Sequence, residues 1–332
     1  MQIFDGLKGL DKNPIPYALT TVLLITAAAV FALSKWMIGR SPLGTAPRPK
    51  GRAISHQVTG WKSAACSSFF IVVFALAVIP HLGVVLLSAA GRWYGTVLPE
   101  EFTLRHYVEA LGNGLVVPSI QNSLVYASCA TLLALAIGLS VGWVVVRSDL
   151  KFRGVLDTLV MLPLAVPGLV MAFGYLALSQ EGKAFHFLVG ADGSPFFLIV
   201  VAYAFRRLPY IVRSAVAGLQ QSNPALEEVA KSLGATPIRT LRRVAIPLIG
   251  ANLAAGAILA FAFAMLEVSD SLILAQQAQH YPITKAIYIL LSSLGNGTEL
   301  AAALGVWAMV FLSVAIMGAA TLSGKRGGLF KI

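Results

Sequence analysis

Seven apolar runs dominate this sequence, at residues 17–33, 64–89, 122–146, 156–178, 196–219, 247–266 and 300–322. A run of about 20 apolar residues is what an α-helix needs to cross the hydrocarbon of a bilayer. With 57% of residues hydrophobic, 12% charged and a mean hydropathy of +0.79, the chain carries more apolar sequence than one or two soluble cores would use. Lipid is the alternative solvent. The expected fold is an all-α integral membrane protein with about seven transmembrane helices.

The fifth run departs from the others. Residues 196–205 are too few to span, so the helix must continue through Arg206, Arg207, Pro209 and Arg213. Those arginines are expected near the inner interface, or snorkelling toward it. The fourth run carries breakers at mid-length, Pro163, Pro167 and Gly168. Backbone groups freed there must be satisfied by neighbouring helices or by water lining a cavity. Two readings stay open, a flexible helix lining a pathway or close helix packing through small residues. Glu267 and Asp270, three apart and so on one helical face, sit at the outer end of the sixth run. They are candidates for a pathway or its gate, or, close enough to the interface to be hydrated, for an interfacial or structural role.

Charge sets an orientation. The formal charge is +11, and 19 of the 25 Lys and Arg residues fall in alternate connections on one side of the runs. By the positive-inside rule that side is cytoplasmic, which puts the N-terminus outside and the C-terminus inside. The basic balance then reflects topology, and nucleic acid is not expected as a partner. Cys66 and Cys129 lie in or beside spans without CxxC spacing, and the five histidines form no ligand pattern, so no metal site is expected. No GxxxxGK[ST] phosphate loop occurs, and no serine, cysteine or histidine stands out as a nucleophile with its base. The expectation is a protein that is not itself an enzyme. Residues 41–62, with Pro42, Pro47, Pro49 and scattered basics, read as a cytoplasmic linker between an N-terminal helical segment (1–40) and the body of the chain (63–332).

The most polar stretch is the loop 223–247. Asn223 can cap a short helix with Pro224 at its first position, and Glu227 and Glu228 favour its N-terminal end. Gly234 can end it in the left-handed conformation. Thr236-Pro237 repeats the cap-plus-proline signal ahead of a second short helix bearing Arg239, Arg242 and Arg243, and Pro247 opens the next apolar run. Glu228-Val229-Ala230, then Gly234 after three residues, then Val244-x-Ile246-Pro247 after nine, resembles the EAA loop of binding-protein-dependent ABC importer permeases. The departures, Val for Ala, Val for Ile and Ile for Leu, are conservative.

The resemblance implies a type I importer permease, with a six-helix core preceded by one extra helix. It also implies that Glu228, Val229, Ala230, Gly234, Val244, Ile246 and Pro247 form the joint to an ATPase. That similarity implies as partners ABC ATPase subunits that bind the ATP and Mg, an extracytoplasmic solute-binding protein and a second permease half, all in the lipid bilayer. No cofactor is implied for this chain. The helix and linker ahead of the core are similar to the middle of tandem ferric-iron permeases, or are simply an added helix. Candidate solutes from the same branch are ferric iron, polyamine, thiamine, phosphonate and sulfate, with ferric iron placed first. From another class, an ion-gradient-driven secondary transporter or channel would show repeated broken helices and buried acids along a path.

Overall fold

The structure is a computed structural model and describes residues 15–38, 60–93, 95–180, 182–183, 185–188 and 193–327. Apolar runs without turn signals become helices in chain order: α1 (Ile15–Ile38) and α2 (Trp61–Ser88), then strands β1 (Ala90–Arg92) and β2 (Glu101–Phe102). After these come α3 (Arg105–Gly112), α4 (Val116–Arg147), α5 (Arg153–Ala165), α6 (Gly168–Leu178) and α7 (Phe196–Gln221). The remainder is α8 (Ala225–Ser232), α9 (Pro237–Thr240), a π turn (Leu241–Ala245), α10 (Ile246–Met265), α11 (Ser269–Leu274), α12 (Ile283–Leu291) and α13 (Gly297–Gly327).

All seven apolar runs are helical. Four stretches, Trp61–Ser88, Val116–Arg147, Pro237–Met265 and Gly297–Gly318, are long and apolar enough to cross a membrane. The fourth predicted run is no straight span: α5 and α6 meet at 102°. Val166 is extended, as a residue before proline must be, and Pro167 opens the new helix. Pro163 lies inside α5 and does not stop it. α7 is one unbroken helix, and its arginines are what set it apart from the apolar spans. The predicted linker 41–62 lies outside the described residues except for its last three.

Two compact units are distinguishable. One holds α1, α4 to α11, the start of α12 and the later part of α13; the other holds α2, the hairpin, α3, the rest of α12 and the first part of α13. In the first unit the core lies where α4, α7 and α10 pack. Ala215 and Leu219 of α7 meet Ala245, Ile249 and Leu253, with Leu135, Leu139 and Trp143 of α4 against them. Val160 of α5 packs with Leu208, Val212 and Val216 of α7.

Small residues permit this approach. Ala130, Ala134, Gly138 and Gly142 recur at four-residue spacing and are buried along α4. A Cβ on Gly138 would lie 2.6 Å from Ile211 Cγ2, and one on Gly142 would lie 2.8 Å from Ala215 Cβ. Gly138→Leu is therefore expected to separate α4 from α7 and to cost about 1–3 kcal/mol. A lowered Tm of the detergent-solubilised protein checks this, and an unchanged Tm would refute the packing role.

In the second unit the hairpin pairs Ala90 with Phe102 and Arg92 with Glu101. His106 is buried and its Nε2 lies 2.9 Å from the Ala90 carbonyl oxygen, which makes it a strut of this unit. Ser88 Oγ and Tyr107 Oη share a 2.7 Å hydrogen bond, and Asn296 donates to Glu109 at 2.6 Å.

Candidate functional sites

The 223–247 element begins as its sequence predicts. Asn223 Oδ1 accepts from the Ala225 N–H at 3.0 Å, and Pro224 has helical backbone angles. The Gly234 φ of +83° ends α8 in the left-handed region, and Thr236 Oγ1 caps α9 by accepting from the Arg239 N–H. The second helix is not short, however. α9 runs through the π turn into α10, so that Pro237–Met265 forms one long apolar stretch. Pro247 has no N–H to give, and the Ile246 N–H reaches back five residues to the Leu241 carbonyl. The helix widens just where a proline must be admitted.

Two neighbouring glutamates have opposite environments. Glu228 is exposed, whereas Glu227 is only 3% exposed. Arg147, the last residue of α4, donates from Nε to both Glu227 oxygens at 3.0 and 3.1 Å. Its Nη2 also donates to the Leu219 carbonyl and to Ser222 Oγ, each at 2.9 Å. One guanidinium thus ties the ends of α4 and α7 to α8. The spacing that singles out Glu228 carries no sign of this, because the partner lies 80 residues away.

With Glu227 turned inward, α8 presents Leu226, Val229 and Leu233 on one face at helical spacing, 49%, 57% and 83% exposed. Ile238, on α9, is also exposed, at 70%. An apolar patch on the most polar connection of the chain is out of place unless something covers it. Ala230 is half-buried, as are Val244 and Ile246, and Pro247 is exposed.

The second cluster joins residues that the sequence keeps apart. Arg206 Nε donates to Glu267 Oε2 at 3.1 Å and lies 3.6 Å from Asp270 Oδ2. Arg207 Nη2 also pairs with Glu267 Oε2, and it donates to the Phe263 carbonyl at 2.9 Å. The Ser269 N–H donates to Glu267 Oε1 at 3.1 Å. Arg206 and Arg207 stand 15 and 14 residues, about 22 Å, before the end of α7 at Gln221. One expectation is corrected here: Glu267 and Asp270 are not hydrated, being 5% and 1% exposed. The reason is mutual, since four buried charges of balanced sign are tolerable where each alone would be costly. Without the two arginines the basic residues on the side assigned as cytoplasmic still number 17 against 6.

The helix break rests on this cluster. A Cβ on Gly168 would collide with the Arg206 guanidinium and with Ser269. Arg206 Nη1 also lies 3.8 Å from Met171 Sδ. Gly168, Glu267 and Asp270 therefore come together around Arg206, whereas nothing brings Pro163 into the group. Among the described residues, neither cluster pairs a nucleophile with a base.

Residues 134–323 match the family model described as the binding-protein-dependent transport system inner membrane component. The chain is similar to the molybdate/tungstate transport system permease protein WtpB of Methanocaldococcus jannaschii. They are 30% identical over 213 residues, covering 64% of this chain and 84% of that protein. It is also similar to the ferric transport system permease protein FbpB of Actinobacillus pleuropneumoniae, 31% identical over 170 residues, covering 50% of this chain but 24% of that longer protein. Among solved structures it resembles a bacterial ABC transporter that imports the acidic polysaccharide alginate. The TM-score is 0.61 at 15% identity, over 80% of this chain and 99% of that one, and this likeness speaks for the fold.

Proposed function

The chain belongs to the binding-protein-dependent transport system inner membrane components, and on that footing we propose that it forms the solute pathway of an ABC importer and is driven through its 223–247 element by a separate ATPase. The observation that carries this reading is the exposed apolar face of Leu226, Val229 and Leu233. It stands on a capped helix whose opposite side is fixed by Arg147. Glu228, exposed on another side of α8, adds a polar contact, and Gly234 gives the turn. ATP and Mg bind to the partner. A solute-binding protein delivers from the outer side, and a second permease half completes the path. The element faces the cytoplasm, with the N-terminus outside. The family assignment displaces the reading as an ion-gradient-driven carrier.

In this mechanism closure of the ATPases pushes α8. Through Arg147 the push reaches α4 and α7, and along α7 it arrives at Arg206. There the pairing with Glu267 and Asp270 and the contact with Gly168 link α7 to the break between α5 and α6 and to the end of α10. We assign the gate to that junction. As solute we put forward a molybdate- or tungstate-class oxyanion, because the relative so named is matched over most of its length, whereas the ferric relative is matched over a quarter.

Gly234 supplies the test of the joint. The space around it is open, with nothing within 4 Å of an added Cβ, so the constraint is its φ of +83° and not a clash. Gly234→Asn, which tolerates the left-handed region, is expected to keep the ATPase bound in mild detergent. Gly234→Val, strained there, is expected to lose it. Equal retention by both variants would remove Gly234 from the joint. For the solute, proteoliposomes with the ATPase and binding protein should accumulate molybdate. Accumulation of ferric iron and not molybdate would reverse the assignment.

A further inference from the structure

Arg239, Arg242 and Arg243 stand exposed just before α10, and with Thr236 and Ile238 they line an open groove of about 370 Å³. Among the described residues no carboxylate forms an ion pair with any of the three. Three unpaired guanidinium groups around one groove make a site for an anion, and their planar forks suit phosphate oxygens.

The backbone is built to put them there. In an uninterrupted α-helix Arg242 would fall in line with Ile249, Leu253, Gly256 and Ala260, all of them buried. The π turn Leu241–Ala245 gives this part of the helix a wider turn. The buried line then continues through Ala245 and Thr240, and Arg242 emerges beside Arg239 and Arg243.

Depth identifies the source of the anion. Ile246 opens the apolar helix α10, and Arg243, Arg242 and Arg239 precede it by three, four and seven residues. With the start of α10 taken as the hydrocarbon edge, about 1.5 Å per residue puts them about 4.5, 6 and 10.5 Å beyond it. The headgroup layer occupies about 5–8 Å on each face of a bilayer. On that footing Arg243 and Arg242 fall at the depth of that layer, and Arg239 lies just beyond it on the water side. We infer that the groove holds the phosphate of an anionic lipid headgroup, gripped by Arg242 and Arg243 and closed on the water side by Arg239. Thr236 Oγ1 accepts from the Arg239 N–H at 3.3 Å, which leaves its hydroxyl hydrogen for a phosphate oxygen. The inference rests on the reading of this element as lying at the cytoplasmic face of the membrane.

The test uses the purified complex with its ATPase, in detergent supplemented with phosphatidylglycerol or with phosphatidylcholine, and counts retained lipids by native mass spectrometry. Wild type and the control Lys151→Gln are expected to keep phosphatidylglycerol and to shed phosphatidylcholine. Arg242→Gln/Arg243→Gln is expected to bind phosphatidylglycerol about tenfold or more weakly while keeping the ATPase. Equal retention by the double variant overturns the proposal. So does displacement of the lipid from wild type by millimolar inorganic phosphate, which would mark an open anion site. Loss of the ATPase from the double variant with lipid binding unchanged overturns it too, by giving the arginines to the partner. Loss of the ATPase from wild type would count against the joint itself and leave the lipid count readable.

Discussion

Glu267→Ala is expected to reduce the amount of folded protein in the membrane sharply, at a cost of about 3–5 kcal/mol. Both Arg206 and Arg207 rest on the Glu267 carboxylate. Without it Arg206 keeps Asp270 alone, and Arg207 has no carboxylate partner among the described residues, which is costly away from water. The single variant therefore reports stability and cannot by itself report transport. Arg207→Met/Glu267→Met removes one charge of each sign and leaves the Arg206–Asp270 pair. Protein level and Tm are expected to return close to those of wild type, while solute uptake stays at least tenfold down, because the link that holds α7 against the end of α10 is gone. Wild-type uptake by the double variant would reduce the cluster to a structural clasp and remove the gate from this junction.

The second large effect is expected from Leu233→Asp. Leu233 is 83% exposed, so the substitution should leave level and Tm unchanged, within about 0.5 kcal/mol. Co-purification of the ATPase should be lost, and with it all ATP-driven uptake, because a buried carboxylate without a partner is costly in any apolar groove. Glu227→Ala, next to Leu226 in sequence but about 100° round α8 and turned inward, is expected to give the opposite pattern. Its removal leaves Arg147 with a buried charge and lowers Tm, and ATPase binding then falls only as far as folding does. Should Leu233→Asp keep both the ATPase and full uptake, the apolar face of α8 serves some other contact.

These experiments also mark what the sequence made legible. Each apolar run is a helix because lipid-length hydrophobicity and backbone self-satisfaction are local properties, readable from the residues themselves. The caps at Asn223 and Thr236 and the left-handed Gly234 are local in the same way, and they stand where their residue types put them. The bend at Val166–Pro167 was foreshadowed by proline, though its 102° was not. What stayed hidden is pairing over distance. Arg206 and Glu267 are 61 residues apart, and Arg147 and Glu227 are 80 apart. The available signal was that arginines within a span must be paired with something, and the acids at 267 and 270 were unclaimed. The π turn left no local trace beyond Pro247, because its effect, the buried line kept through Ala245 and Thr240 while Arg242 emerges, shows only in the folded helix.

Arg147 has a mechanical consequence. A helix joined to its neighbour by Ser222 and Asn223 alone would swing about them as a hinge, and a thrust on α8 would be spent in bending. Arg147 is a cross-brace that fastens α8 at Glu227, α7 at Leu219 and Ser222, and itself to the end of α4. Bending would have to break a buried ion pair, at a cost of about 3–5 kcal/mol. On the proposed mechanism, a stroke delivered at one end of this frame would tilt the three helices as a lever and would not be absorbed in the corner.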